Sequence, residues 1–303
     1  MQEQVLIYDR IEANRRRTFV LMTLFFILVA GVGTALGIVL GLPVGLSPII
    51  IVLILGFTVF AYYGSSSVAL SVSGAHEVSE TEERELYRIV ENLCIGSGLP
   101  KPMVYVIEDQ SMNAFATGRD PDHASIAVTR GLMNRLERRE LEGVLAHELS
   151  HIGNRDTLVM TVVVVLIGLL ALLADIGLRM TLWGAGGRRS YSDKNSKGQG
   201  IIVIVALVFI ILSPIIARLI GMAVSRQREY LADASGALLT RYPEGLASAL
   251  EKISGDTDPL DQATKATEHL YFVSPLYAHQ SAMNSFFATH PPIEERIRLL
   301  RAM

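Results

Sequence analysis

A long stretch without any charged side chain dominates the N-terminal part of the chain and restricts what it can fold into. Between Thr18 and Gly64 there is no Asp, Glu, Lys, Arg or His. Pro43 and its neighbouring glycines divide the stretch into two pieces of about 20 residues each, the length of a helix that crosses the hydrocarbon of a bilayer. We therefore predict a hairpin of two membrane-spanning helices, residues 18–41 and 47–64.

A cleaved signal peptide is the alternative for the first of these helices, because Arg15, Arg16 and Arg17 precede it. The apolar part of a signal peptide usually has about 7 to 15 residues and ends at a cleavage site of small residues. Here the apolar stretch is longer and continues into a second one. The sequence favours the hairpin.

Two further uncharged runs occur later in the chain, at residues 157–174 and 201–217. Each has about the minimum length for a span, so we predict a second hairpin with helices 157–178 and 200–224. The segment between them is rich in Gly, Ser and charged residues, which is typical of a mobile loop. A helical hairpin buried in a globular core is the alternative for these shorter runs.

The overall composition agrees with a membrane protein. Half of the 303 residues are hydrophobic and only 19% are charged, which is too apolar for an ordinary soluble domain of this length. The net charge of −3 and the absence of a basic tract argue against nucleic acid as a partner. Cys94 is the single cysteine, which excludes an internal disulfide and a zinc site made of thiolates.

The hydrophobic runs divide the chain into four parts, which are residues 1–64, 65–156, 157–225 and 226–303. In the second part, apolar spacing predicts a helix that starts near Glu80 and three short strands at M-V-Y-V-I, S-M-N-A-F-A-T and S-I-A-V-T. Two further helices follow, R-G-L-M-N-R-L and the segment that ends in A-H-E-L-S-H. The fourth part is predicted to be helical throughout.

The segment H-E-L-S-H has the spacing of a metal site. Residues four apart lie on one face of a helix, so His147 and His151 can direct both imidazoles at one ion. Glu148 lies about 100° further round the helix and can reach a water on that ion. We expect this helix to continue directly into the third hydrophobic run, which starts at Thr157.

A catalytic zinc site usually has three protein ligands and an open position. Glu229 and Asp233 are candidates for the third ligand, because they are four residues apart on a helix that emerges from the fourth run. One carboxylate could bind the metal while the other holds a ligand histidine through its second ring nitrogen. Two predicted spans separate His151 from Glu229, so both return to the same side of the membrane. A solvated helix face is the alternative for this acidic pair.

Four motifs, taken together with the hydrophobic runs, resemble the HtpX family of integral membrane zinc metalloproteases. They are N-A-F-A-T-G, H-E-L-S-H-x-x-x-x-D, S-R-x-x-E-Y-x-A-D and T-H-P-P-I-x-x-R-I. The resemblance implies a mainly helical α+β protein with about four transmembrane helices and a zincin-like catalytic domain carrying a small β-sheet. It also implies one zinc ion per chain bound by His147, His151 and Glu229, with Glu148 as general base and acid.

Further roles follow from the same resemblance. Asp156 and Asp233 are expected to support the ligands from behind. His290 and Arg296 are expected to reach the cleft, where they would stabilise the oxyanion or hold substrate, and His290 could approach zinc in a resting form; Thr289 or His290 as a mere helix cap is the alternative. The edge strand that lines the substrate cleft would contain Asn113, Ala114 and Phe115, although Phe115 could equally be core and Asn113 a turn residue.

The expected function is a multi-pass enzyme of the cell membrane that cuts misfolded or damaged proteins, including membrane proteins, at the cytoplasmic face. The arginines at 15–17 place the N-terminus in the cytoplasm, whereas the basic loop of the second hairpin disagrees with this orientation. A related prenyl-protein protease and a catalytically silent scaffold with structural zinc are the alternatives. The sequence does not indicate an oligomeric state.

Overall fold

The computed structural model describes residues 12, 16, 18–27, 29–31, 43, 46–167, 226–256, 270–273 and 291–303. Several predicted features therefore lie wholly or partly outside the described residues. They are the last parts of the helices at 18–41 and 157–178, the loop of the second hairpin, the helix at 200–224 and His290.

A small mixed sheet forms the first layer of the catalytic part. Its strands are β1 (Ala75–Glu77), β2 (Met103–Ile107), β3 (Ala114–Gly118) and β4 (Ala124–Thr129). The order is β1-β2-β4-β3, with β2 and β4 parallel and the other two pairs antiparallel. The three predicted strands are present, and the three-residue β1 is an addition. Strand β3 is an edge strand, because it pairs only with β4 in this sheet and its other side has no neighbouring strand of the sheet.

Helices pack against this sheet and against one another. In chain order the described helices are α1 (Thr18–Gly31), α2 (Ser47–Val72), α3 (Arg84–Ser97), α4 (Arg130–Arg135), α5 (Arg138–Gly153), α6 (Asp156–Ile167), α7 (Arg226–Thr240), α8 (Pro243–Ser254) and α9 (Ile293–Arg301). As the spacing predicts, α3 buries Leu86, Ile89, Val90 and Leu93, and it ends at Gly98, whose φ of 71° is the left-handed conformation that glycine adopts readily. The chain is thus mainly helical with one small sheet.

Helix α7 lies unusually close to α5 because of a glycine. A Cβ atom at Gly236 would come within 2.9 Å of the backbone nitrogen of His147. The absence of a side chain lets the two backbones approach. Asp233 lies about one turn and Glu229 about two turns before Gly236 on α7, so this close contact holds both carboxylates against the histidine-bearing helix.

The apolar helices have two different environments. Residues Ile51–Val72 of α2 are long and apolar enough to cross a membrane, and many of their large side chains, such as Val52 and Leu53, are exposed. Helix α6 is instead buried, with Leu158, Val162 and Leu166 packed against α1 and α2. Among the described residues, α2 is the one helix that is by itself long and apolar enough to cross a membrane. Helices α5 and α6 reach this length and hydropathy only when they are taken together as one bent pair. Helix α2 also continues eight residues beyond the predicted end at Gly64.

The expectation that the H-E-L-S-H helix runs straight into the third hydrophobic run is wrong. Helix α5 ends at Gly153, and α6 starts at Asp156 in a direction that differs by 84°. Arg155 lies in the break with a φ of 55°, the left-handed conformation that ends a helix. The turn folds Asp156 back toward α5, where it contacts His151.

Candidate metal centre

Three buried side chains converge between α5 and α7. His147 and His151 direct their Nε2 atoms toward each other at 3.1 Å. The carboxylate of Glu229 faces both, with 3.7 Å from Oε2 to His147 Nε2 and 3.7 Å from Oε1 to His151 Nε2. Each residue offers one ligand atom, and these atoms all lie within 4.8 Å of one another.

This donor set fits a zinc ion. Two donors that each lie about 2.0–2.1 Å from one zinc in a tetrahedral arrangement are about 3.3 Å apart, close to the distances between the three side chains. Two imidazoles and one carboxylate are also the set found in catalytic zinc sites that keep a position open. Within the described part of the chain, no other group of His, Cys, Asp or Glu side chains has this arrangement.

A buried ion pair supports His147 from behind. Its Nδ1 lies 2.9 Å from Asp233 Oδ1. Arg296 in turn donates two hydrogen bonds to Asp233, from Nε to Oδ2 at 2.8 Å and from Nη2 to Oδ1 at 2.7 Å. Burial alone would raise the pKa of Asp233, but the Arg296 guanidinium outweighs it and lowers that pKa to about 2.

The same carboxylates make the pocket favourable for positive charge. Burial alone would lower the pKa of His147, yet the carboxylates of Asp233 and Glu229 raise it to about 9. A site that stabilises a proton on this imidazole also stabilises a metal cation near it, and the two compete for the ring. The electrostatics therefore agree with the geometry.

His151 has a carboxylate partner of its own. Its Nδ1 lies 3.2 Å from Asp156 Oδ2, and Arg228 Nε lies 3.8 Å from the other oxygen of Asp156. All three residues are buried. Asp156 was expected here by resemblance, whereas Arg228 was not expected. Its only signal in the sequence is its position beside Glu229, where a charged residue ordinarily indicates a solvated helix face.

Glu148 lies beside the cluster and is also buried, with 2% of its surface exposed. Burial raises the pKa of this carboxyl group, and the nearby His147 and His151 oppose the shift without reversing it. A raised pKa is the direction that a carboxylate needs in order to accept and release a proton.

The predicted substrate strand is occupied by another part of the chain. The backbone N–H of Phe272 donates to the carbonyl oxygen of Ala114 at 2.8 Å. The side chain of Asn113 donates from Nδ2 to the carbonyl oxygen of Val273 at 2.8 Å and accepts from the backbone N–H of Val273 at 3.3 Å. Phe115 packs in the core, edge-on to Tyr271. Residues 270–273 therefore lie where an added strand would lie.

This segment also reaches the metal cluster. The ring of Phe272 meets the ring of His147 edge-on, with 4.9 Å between centroids, and the guanidinium of Arg296 lies over the Phe272 ring, 4.9 Å from its centroid. Arg296 is fully buried, and its Nη1 has no hydrogen-bond partner among the described residues. Phe272 was not singled out from the sequence, because nothing in its local spacing relates it to His147.

Two ligand-bearing helices that cross at a glycine, with a buried glutamate beside two histidines, define a zincin-type metallopeptidase. The sequence profile of peptidase family M48 matches residues 80–303, and the chain belongs to that family.

Proteins named as HtpX protease homologues match almost the whole chain. The one from Listeria monocytogenes serotype 4a (strain HCC23) is 44% identical and covers 98% of this chain and 100% of its own length. That from Thermoanaerobacter pseudethanolicus is 44% identical with 98% of each chain covered, and that from Dictyoglomus turgidum is 45% identical with 98% and 94% covered. The resemblance to the HtpX family is confirmed.

Among solved structures, the crystal structure of S. mikatae Ste24p is similar with a TM-score of 0.41 and 20% identity. The match covers 75% of this chain and 50% of that protein, so the chain spans half of its length. Family membership and the apolar helix α2 together identify this chain as a membrane zinc metalloprotease.

Proposed function

We propose that the chain is an endopeptidase of protein quality control, which cuts misfolded or damaged proteins where they emerge from the membrane at its cytoplasmic face. The observation that carries this proposal is the cluster of His147, His151 and Glu229, located one tight turn away from the apolar helix α6. A peptidase site in this position meets chain segments that protrude from the bilayer.

In this proposal His147, His151 and Glu229 hold the zinc ion. Once bound, zinc supplies Lewis acidity, which makes a water molecule acidic enough to attack at neutral pH and polarises the peptide carbonyl. Asp233 and Asp156 keep the two imidazoles in the tautomer and orientation that leave Nε2 free for the metal.

Glu148 is the proton carrier. Its carboxylate accepts a proton from the attacking water and later passes it to the departing amine. Because the water attacks directly, no covalent bond to the protein is formed. A fully buried carboxyl group with a raised pKa is suited to both halves of this cycle.

Arg296 and His290 complete the cleft. The Nη1 of Arg296 is left over after the guanidinium has bound Asp233, and we assign it to the carbonyl oxygen of the bound substrate. His290 directly precedes Pro291, and α9 with Arg296 begins shortly after that. This connection supports a role for His290 beside the oxyanion.

The substrate takes the place of residues 270–273. An extended peptide that accepts a hydrogen bond from Asn113 and donates one to the carbonyl of Ala114 would reproduce the bonds that Phe272 and Val273 make. These are main-chain interactions, which give little preference for particular side chains. A peptide must be unfolded to make them, and this supports misfolded proteins as the substrate class.

The proposed topology has four transmembrane helices, with residues 65–156 and 226–303 both in the cytoplasm. It is supported by the arginines at 15–17 and by the uncharged turn around Pro43. Single cysteines at positions 43 and 142, in protein whose Cys94 is replaced, test it in whole cells. The cysteine at 43 should react with an impermeant reagent from outside, and the cysteine at 142 only after permeabilisation. The opposite pattern would reverse the orientation.

The catalytic assignment is tested with Glu148→Gln. This variant should retain zinc, because Glu148 is not a ligand, and should lose cleavage of an unfolded soluble protein. Glu142→Gln on the same helix, where the side chain is partly exposed, is the control and should cleave normally. Cleavage at the wild-type rate by Glu148→Gln would show that Glu148 is not the proton carrier. If the protein were a catalytically silent scaffold, neither the wild type nor any variant would cleave.

A further inference from the structure

A groove of about 530 Å³ opens between the apolar helices, away from the metal cluster. Helices α1, α2 and α6 form its walls, and two arginines from the catalytic part, Arg119 and Arg155, reach its rim. The groove has the size of a small-molecule site, for which about 300–1,000 Å³ is usual. Every residue that lines it belongs to the described part of the chain.

Two of the residues that line the groove are cationic. Arg119 directly follows β3, and its guanidinium lies 5.4 Å from the centre of the Tyr63 ring while its Nε lies 3.4 Å from Asp120. Arg155 is half-buried in the break between α5 and α6, and no ion pair of its side chain is found among the described residues. The carboxylate of Asp120 also binds His123, so it neutralises the charge of Arg119 only in part.

One end of the groove is apolar. Helix α2 contributes Val59 and Leu55, which lie four and eight residues before Tyr63 and therefore about 6 and 12 Å further along the helix. Both side chains are about half exposed, at 50% and 51%. Met22 and Phe26 of α1 line the same cavity. The groove thus changes from charged to apolar in the direction in which α2 enters the membrane.

We propose that this groove binds an anionic phospholipid, with its phosphate between Arg119 and Arg155 and the upper part of one acyl chain against Val59 and Leu55. Guanidinium groups match phosphate oxygens in a planar, two-pronged geometry. Basic pockets between membrane helices near the cytoplasmic surface are suited to anionic headgroups. An apolar peptide segment would satisfy the apolar end but would bring no negative charge to Arg155 or to Arg119, whose charge Asp120 neutralises only in part.

The lipid would connect two elements that flank the catalytic cleft. Arg119 continues from β3, the strand that holds residues 270–273, and Arg155 separates the α5 helix of His151 from Asp156. A phosphate held by both arginines fixes the end of β3 relative to the break between α5 and α6. Since ligands that bind the folded state raise its stability, the lipid should raise the melting temperature of the full-length protein.

Lipid retention by the full-length protein tests the proposal. The protein is equilibrated in detergent micelles with equal amounts of phosphatidylglycerol and phosphatidylcholine and is repurified, and bound lipid is quantified by mass spectrometry. The ratio of phosphatidylglycerol to phosphatidylcholine in the bound lipid should exceed that in the micelles, and each arginine should contribute a factor of about five. Arg119→Gln combined with Arg155→Asn should abolish the enrichment; asparagine tolerates the positive φ at 155. Equal retention by this variant would overturn the proposal.

Matched controls separate the groove from general effects. Arg139 stacks over Tyr242 at 5.1 Å, far from the groove, so Arg139→Gln removes a similar contact and should retain lipid normally. Val59→Trp fills the groove and should release the lipid. Val52 is on the same helix but does not line the groove, so Val52→Trp should retain the lipid. Only variants with wild-type zinc content and circular dichroism are compared. Release of the lipid by excess inorganic phosphate, or equal retention by both tryptophan variants, would also contradict the proposal.

Discussion

The two histidines of the metal cluster occupy the same helix but are supported in different ways. Behind His147, Asp233 is fixed by two hydrogen bonds from Arg296, and these three residues come from three separate helices. Behind His151, Asp156 is the first residue of α6, directly after the break that follows α5, and Nε of Arg228 lies 3.8 Å from it.

The two histidines therefore depend on different parts of the fold for their orientation. The contacts from Arg296 to Asp233 and from Asp233 to His147 form only when α5, α7 and α9 are packed together, so they depend on the tertiary fold. The support of His151 depends on the local break at Arg155. Support of metal ligands from behind sets their orientation and basicity, and we therefore expect the two sides to respond differently to equivalent substitutions.

The largest effect is expected at the residue that both sides share. Glu229 lies 3.7 Å from each Nε2, so Glu229→Gln should remove the one negatively charged ligand of the zinc site that the two histidines share with it. Zinc content and proteolysis should both fall close to background. Zinc is measured by atomic absorption on purified protein. Full zinc content together with full activity would show that Glu229 is not a zinc ligand.

The next largest effect compares the two supporting carboxylates directly. Asp233→Asn and Asp156→Asn each remove one negative charge without changing the shape of the side chain. Loss of such a partner usually costs about 10–100-fold in metal affinity or activity. We expect Asp233→Asn to lie at the upper end and Asp156→Asn at the lower end in zinc competition with a chelator. The reverse order would show that the local support is the more important one.

A smaller effect is expected for the arginines. Arg296→Lys keeps the charge but cannot form both hydrogen bonds to Asp233. Loss of one such charged hydrogen bond should lower the free energy of unfolding by about 1.5–3 kcal/mol. Arg228→Lys should cost less, because its Nε is 3.8 Å from Asp156. Both are measured by thermal unfolding of zinc-free protein, and similar losses would remove the difference between the two sides.

The smallest net effect concerns the glycine that brings α7 to α5. In Gly236→Ala the new Cβ would press on the backbone of His147, a clash of the kind that costs about 1–3 kcal/mol, while the gain in helix propensity returns about 1 kcal/mol. At Gly96 a Cβ would meet only the flexible end of Leu239, at 3.3 Å. Gly96→Ala should therefore be neutral or stabilising in the same assay. Equal stability of both variants would show that the close contact at Gly236 can relax.

Local periodicity explains what could be predicted from the sequence. The spacing of His147 and His151 predicts a shared face because a helix repeats every 3.6 residues, and short runs rich in residues that favour β-structure indicated the three longer strands. The roles of Glu229 and Asp233 stayed open, since a shared helix face does not tell which carboxylate meets Nε2 and which meets Nδ1. The structure places Glu229 near the Nε2 atoms and Asp233 near Nδ1.

Long-range and conformational features could not be predicted in this way. The contact between Ala114 and Phe272 joins segments far apart in sequence, and no short pattern encodes it. Gly153 and Asn154 just before the break are typical of a helix end, but the positive φ lies at Arg155, a residue type that does not favour it, and no local pattern predicts the direction of the next helix. The presence of four membrane spans stays a prediction, because most of the second hairpin lies outside the described residues.

The angle of 84° between α5 and α6 determines how α5 would lie if α6 crosses the membrane. If α6 follows the bilayer normal, α5 lies nearly flat on the surface. The four residues from His147 to His151 span about 6 Å along α5, and in that orientation the distance from the membrane would change by only about 0.6 Å between the two histidines. In that orientation His147 and His151 lie at almost the same depth. An extended chain spans about 3.3–3.6 Å per residue, so the length of free chain between a membrane anchor and its first folded domain would decide which proteins can be cut.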